Sequence, residues 1–115
     1  MSDHDRHEFY ERARAQAEQD FKRDPKDAHA LTRWGGALLE LANFSPGEKA
    51  GELVEDAVDK FQKALEIEPK KHEALWCLGN AYTSQGFLCS EKQNASKLFK
   101  EAQVRFSACI CYQVA

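Results

Sequence analysis

Residues 31–41 read Leu31-Thr32-Arg33-Trp34-Gly35-Gly36-Ala37-Leu38-Leu39-Glu40-Leu41, and residues 75–82 read Leu75-Trp76-Cys77-Leu78-Gly79-Asn80-Ala81-Tyr82. In the first, Leu31, Trp34, Leu38 and Leu41 recur at spacings of three and four, which lays one apolar stripe along an α-helix. Leu75, Leu78, Ala81 and Tyr82 do the same in the second. Each stretch also carries a glycine four positions after its leading leucine. Downstream, Ala57, Phe61, Ala64 and Pro69 follow the first stretch as Ala95, Phe99 and Ala102 follow the second, with Ser107 where a second proline would fall. An internal repeat explains these stripes better than independent helices do.

Punctuation around the two stretches sets the remaining elements. An N-terminal helix with Phe9, Ala13, Ala17 and Phe21 on one face ends before Asp24-Pro25, because proline excludes the helical conformation from the residue before it. Asp27 caps the second helix, which stops near Asn43. Ser45-Pro46-Gly47-Glu48 reads as a capping box opening the third, with Ser45 accepting from the helix start and Glu48 reaching back. That helix keeps Val54, Ala57, Val58, Phe61, Ala64 and Leu65 on one face and ends before Pro69. The fourth ends near Gly86. Ser90 and Gln93 form a second capping box, and Ala95, Leu98, Phe99, Ala102 and Phe106 line the fifth. No stretch alternates with period two, so no sheet is expected. The chain is read as all-α, with about five helices. Residues 1–106 form one domain, and 107–115 a divergent tail expected to be poorly ordered. The intervals from Leu31 to Ala57 and from Leu75 to Ala95 predict an unusually long connection around Asn43 to Gly51, and long loops in compact domains are often functional.

The alternation of large residues with Gly35, Gly79 and alanines resembles the tetratricopeptide pattern, in which small residues let two antiparallel helices approach closely; that resemblance implies antiparallel helix pairs in a right-handed superhelical stack. The wording of residues 33–41 and of Lys71-His72-Glu73-Ala74-Leu75-Trp76-Cys77-Leu78-Gly79-Asn80-Ala81-Tyr82-Thr83 is more specific. It resembles the plant-type presequence receptor of the outer mitochondrial membrane translocase, its twenty-kilodalton subunit, from about Phe9 to Phe106. That resemblance implies a cytosol-facing receptor on the outer mitochondrial membrane, binding the amphipathic, basic presequences of precursor proteins beside other translocase subunits. It implies no cofactor. The family carries a C-terminal hydrophobic anchor; the text from Ser107 to Ala115 does not follow the family, so a truncated form, cytosolic or peripheral, is the expectation for this product.

Composition is consistent with such a protein. The 115 residues are 43% apolar and 30% charged, with a net charge of −3, enough for one folded domain and without the basic surface a nucleic-acid partner needs. Between Glu40 and Glu68 the acids Glu40, Glu48, Glu52, Glu55, Asp56, Asp59, Glu66 and Glu68 face only Lys49, Lys60 and Lys63; this favours a basic partner, or is a solvated face. No window approaches the roughly 18 uninterrupted apolar residues that span a bilayer. Cys77, Cys89, Cys109 and Cys111 lack the spacing of a disulfide scaffold or a zinc site, which points to a reducing compartment. Cys77 reads as a packed apolar group. The acceptor-like Asn94-Ala95-Ser96 is idle without export.

In tetratricopeptide stacks the first helix of each pair lines the concave surface, which directs Thr32, Arg33, Gly36, Leu39 and Glu40, then Trp76, Cys77, Asn80 and Thr83, toward a groove. The expected peptide-binding set is Gly36, Leu39, Glu40, Trp76, Asn80 and Thr83, with Leu39 and Trp76 giving apolar contact and Glu40 attracting a basic helix. Two plainer readings compete: Leu39 as core, and Trp76 packed against the N-terminal helix. A co-chaperone gripping acidic chaperone tails is the alternative function, but its clamp needs Lys and Asn where this chain has Thr32 and Gly36. For an enzyme there is neither nucleophile triad nor phosphate loop; His4 and His7 beside Asp3, Asp5 and Glu8 sit in a fraying terminus, and His72-Glu73 lacks a second histidine.

Overall fold

A computed structural model describes residues 2–45, 47–88 and 92–114, apart from the side chains of 92–94 and 109–114. It contains five helices in chain order: α1 (Asp3–Arg23), α2 (Ala28–Ala42), α3 (Gly47–Ile67), α4 (His72–Leu88) and α5 (Lys92–Val114). Among the described residues there is no strand. The all-α reading and its helix-pair arrangement hold. α2 packs on α3 and α4 on α5 as two hairpins, α1 lies on α2, α3 lies on α4, and α2 also reaches α4.

Local chemistry explains the starts and stops. The Asp27 carboxylate accepts from the Ala30 backbone N–H at 3.0 Å, satisfying an otherwise orphaned donor at the start of α2. Replacing Asp27 with alanine is expected to cost about 1 kcal/mol of stability, read as a lowered denaturation midpoint. α1 stops at Arg23, where Asp24 accepts from the Lys26 N–H at 3.1 Å and opens the turn around Pro25. α3 stops at Ile67, two residues ahead of Pro69.

The core runs between the hairpins. Leu38 of α2, Val54 and Phe61 of α3, Leu78, Ala81 and Tyr82 of α4 and Ala102 of α5 form one buried cluster. Leu31, Ala64 and Ala74 form a second, covered by Phe21 and Trp34. Trp34 ties three helices together: Phe21 of α1 lies against its ring at 5.8 Å between centroids, and Lys60 Nζ of α3 stands 4.4 Å from it. Glycines set the closest crossings. A Cβ on Gly35 would fall 2.6 Å from the Phe61 ring, one on Gly79 2.5 Å from Phe106, and one on Gly86 2.5 Å from Phe99.

Four expectations are corrected. Gly79 opposes Phe106, so Phe106 and not Phe99 is the counterpart of Phe61; in an antiparallel pair the earlier glycine meets the later phenylalanine. The stretch from Asn43 to Gly51 is not a long loop, because α3 already begins at Gly47. The extra residues instead lengthen the helices, and Ala50 and Val54 are buried there. Ser45 turns its hydroxyl to donate to the Leu41 carbonyl at 3.1 Å, holding the end of α2. Gly47 carries the turn, with φ +43°, a left-handed backbone that favours glycine. Gly86 does not end α4; it is buried within it under Phe99. The proposed cap at Ser90, with Pro46 and Cys89, lies outside the described residues, as do the side chains of Gln93, Cys109 and Cys111. α5 continues without a break through Ser107 to Val114.

Candidate peptide-binding surface

Side chains three and four apart share a helix face, so Gly36, Leu39 and Glu40 lie together on α2, and Trp76, Asn80 and Thr83 on α4. Buried neighbours confirm which faces these are. Leu31, Gly35, Leu38 and Ala42 point into the α2 interface, and Leu75, Leu78, Gly79 and Tyr82 into that of α4. What remains toward the outside differs from residue to residue.

Leu39 is half-buried and packs against the main core while still lining an open depression of about 210 Å³. Its two readings therefore merge: it is the floor of a hollow. The walls are Ala42 and Asn43 of α2, Ala50 and Val54 of α3, and Ser84, Phe87 and Leu88 of α4. Phe87 is 78% exposed and Leu88 50%, a large apolar area for adjacent positions. The Phe87 ring meets Phe99 of α5 edge-on at 5.3 Å.

Gly36 and Glu40, further round the same side of α2, border α1. They border a groove of about 380 Å³ whose far wall is Phe9, Tyr10, Ala13 and Gln16, with Arg33 and Ala37 completing it. Phe9, expected in the α1 stripe, is 56% exposed at this wall. The Arg33 guanidinium donates to Asp20 at 2.9 Å across the α1–α2 boundary. That hydrogen bond, with one from Gln16, holds the Asp20 carboxyl below its ordinary range.

Trp76 is half-exposed and lies at 4.8 Å against Phe106 of α5, so it does not pack on the N-terminal helix. Asn80 is exposed one turn on, and the Thr83 hydroxyl donates to the Gly79 carbonyl at 2.9 Å. Thr32 leaves the expected groove face: it is buried, and its hydroxyl donates to the Ala28 carbonyl at 2.8 Å. Cys77 is half-buried against the core. The six expected residues thus fall into three neighbourhoods: a hollow at Leu39, a groove at Gly36 and Glu40, and a ridge of Trp76, Asn80 and Thr83.

Phe87 and Leu88 were not legible as site residues, because the fourth helix was expected to stop near Gly86. A signal existed in the stripe Trp76, Asn80, Thr83, which continues at the next step of four to Phe87. Phe9 belongs to the expected buried stripe of α1, but that face does not close over it; Tyr10 lies outside the stripe. Of the α3 acids, Glu48, Glu52, Glu55 and Asp56 are exposed, whereas Asp59 is matched by Lys60 and Lys63 at 3.2 Å each. Burial raises the Asp59 carboxyl, but these lysines outweigh it and the net displacement is downward. A hollow of about 660 Å³ at the α3–α4 turn is bounded by the single contiguous segment from Ile67 to Glu73, a surface bend and not a cleft between elements. Among the described residues no cluster of metal-ligating groups occurs, and no helix is long and apolar enough to cross a membrane.

Antiparallel helix pairs closed at glycine–phenylalanine crossings define a tetratricopeptide-like helical repeat protein. Over residues 4–113 the chain matches the family described as the plant specific mitochondrial import receptor subunit TOM20, and it belongs to that family. Among its relatives in Arabidopsis thaliana, mitochondrial import receptor subunit TOM20-3 is 44% identical over 106 residues, covering 92% of this chain and 52% of the relative. TOM20-2 is 42% identical over 105 residues, 91% and 50%. TOM20-4 is 42% identical over 110 residues, 96% and 58%. The chain spans about half the length of these curated relatives.

Proposed function

We propose that this chain is the presequence-binding domain of a mitochondrial import receptor, acting without catalysis at the cytosolic face of the outer membrane beside other translocase subunits. One observation carries the reading: the first helices of the two hairpins present apolar surface, half-buried Leu39 beside exposed Phe87 and Leu88, and a carboxylate, Glu40, at the neighbouring α1–α2 groove. A targeting presequence is a helix with one apolar and one basic face, and it needs this combination in its receptor. The relatives are named mitochondrial import receptor subunits, which supports the same direction. The hollow is shallow and open, suited to weak binding of many different sequences through adaptable apolar contacts. Trp76, Asn80 and Thr83 extend the apolar-to-polar surface along α4.

The test is a titration of the whole chain with a labelled basic, amphipathic presequence peptide, followed by amide chemical shifts. Changes are expected around Leu39, Phe87 and Trp76, with affinity falling as salt screens the basic face. A Trp34→Phe variant leaves Trp76 as sole tryptophan, and its emission should move on peptide addition. Unchanged shifts and emission at the highest soluble peptide concentration would remove the receptor reading.

A further inference from the structure

Glycine inside a helix destabilises it relative to alanine, so each one invites a reason. At Gly35, Gly79 and Gly86 the reason is a phenylalanine ring seated where a Cβ would be. At Gly36 and Gly51 nothing lies within 4 Å of that position. Gly51 borders none of the hollows described above, whereas Gly36 borders the 380 Å³ groove between α1 and α2. The helix therefore bears a notch at Gly36 that none of the described residues fills.

The groove's chemistry selects its occupant. Phe9 and Tyr10, edge-on at 5.2 Å, wall it with aromatic surface, and Phe9 is more than half exposed. The charge at Arg33 is already matched by Asp20. Glu40, one turn along from Gly36 and exposed, has no ion pair among the described residues. An apolar trough with one unmatched negative charge complements a helix that is apolar on one side and basic on the other.

We infer that Gly36 is a specificity-determining position: the notch admits a bulky apolar side chain of a basic peptide helix, whose Lys or Arg one turn away meets Glu40. The missing Cβ lets that side chain touch the α2 backbone, and the Phe9 ring closes over it. This deepens the presequence-receptor reading and rests on it. The test uses the full chain and a synthetic basic amphipathic presequence peptide, comparing wild type with Gly36→Ala, Gly36→Leu and Glu40→Gln by fluorescence anisotropy and thermal melting. Gly36→Ala should melt at the same or a higher temperature than wild type, since a helical alanine meets no obstacle there. Gly36→Leu should bind about tenfold more weakly, as expected when a side-chain pocket is filled. Glu40→Gln should bind more weakly at low salt and respond less to added salt. Stability and binding would thus move in opposite directions, a signature that loss of structure does not produce. Wild-type affinity in Gly36→Leu, or a lowered melting temperature in Gly36→Ala, overturns the inference while leaving the receptor reading in place. Absence of any binding by wild type overturns both.

Discussion

Phe61→Ala is expected to remove about 3–5 kcal/mol of folding stability, the range for truncating a buried phenylalanine. Phe61 is the largest fully buried side chain, with no exposed area, and it sits where the two hairpins meet. Its ring fills the space over Gly35, so truncation leaves a cavity that a glycine backbone cannot reach into and the rigid partner helix cannot collapse onto. Single domains of this size are stable by only about 5–15 kcal/mol, so the loss is a large share of the whole. Urea unfolding followed by circular dichroism measures it. A midpoint within experimental scatter of wild type would show that the hairpin contact does not hold the fold together.

Gly35→Ala is the second large effect, and its sign opposes intuition about helices. Alanine in place of a helical glycine ordinarily stabilises by about 0.5–1 kcal/mol. Here the new methyl would press into the Phe61 ring, 2.6 Å from the nearest atom, and that ring has no solvent side to move toward. Overpacking a close-packed core costs about 1–3 kcal/mol, which exceeds the propensity gain. A net loss follows, visible as a melting temperature lowered by several degrees. Gly86→Ala meets an equally short contact, yet its partner Phe99 is 39% exposed and free to swing outward, so that variant should melt close to wild type. Equal losses at both sites would contradict the argument that burial of the partner ring decides the outcome.

Element type and order were readable because independent signals agreed: the Asp27 cap, the prolines at 25 and 69, and the apolar stripes all marked the same boundaries. Register was harder. Phe99 and Phe106 lie seven apart on one helical face, as Gly79 and Gly86 do, so periodicity alone pairs either ring with either glycine. Only the antiparallel course of the hairpin joins Gly79 to Phe106 and Gly86 to Phe99. The same limit applied to the surface. Spacing on α2 revealed that Gly36, Leu39 and Glu40 share a face, but which neighbour each meets depends on α1 and α4, and sequence spacing within one helix carries no information about those. Trp76 shows this most clearly, since its partner Phe106 lies on α5, at the opposite end of the helix order from α1.

The attachment of α1 is lopsided. Its ties to the rest of the molecule, Phe21 against Trp34 and Asp20 to Arg33, belong to its last turns, and its one buried residue is Ala17. Residues 2–9 are exposed, with the edge of His7 on Phe44, and the helix becomes partly buried only from Tyr10 onward. On the proposed receptor reading, the exposed end of α1 is expected to yield to a guest of unfamiliar bulk before the hairpins behind it do.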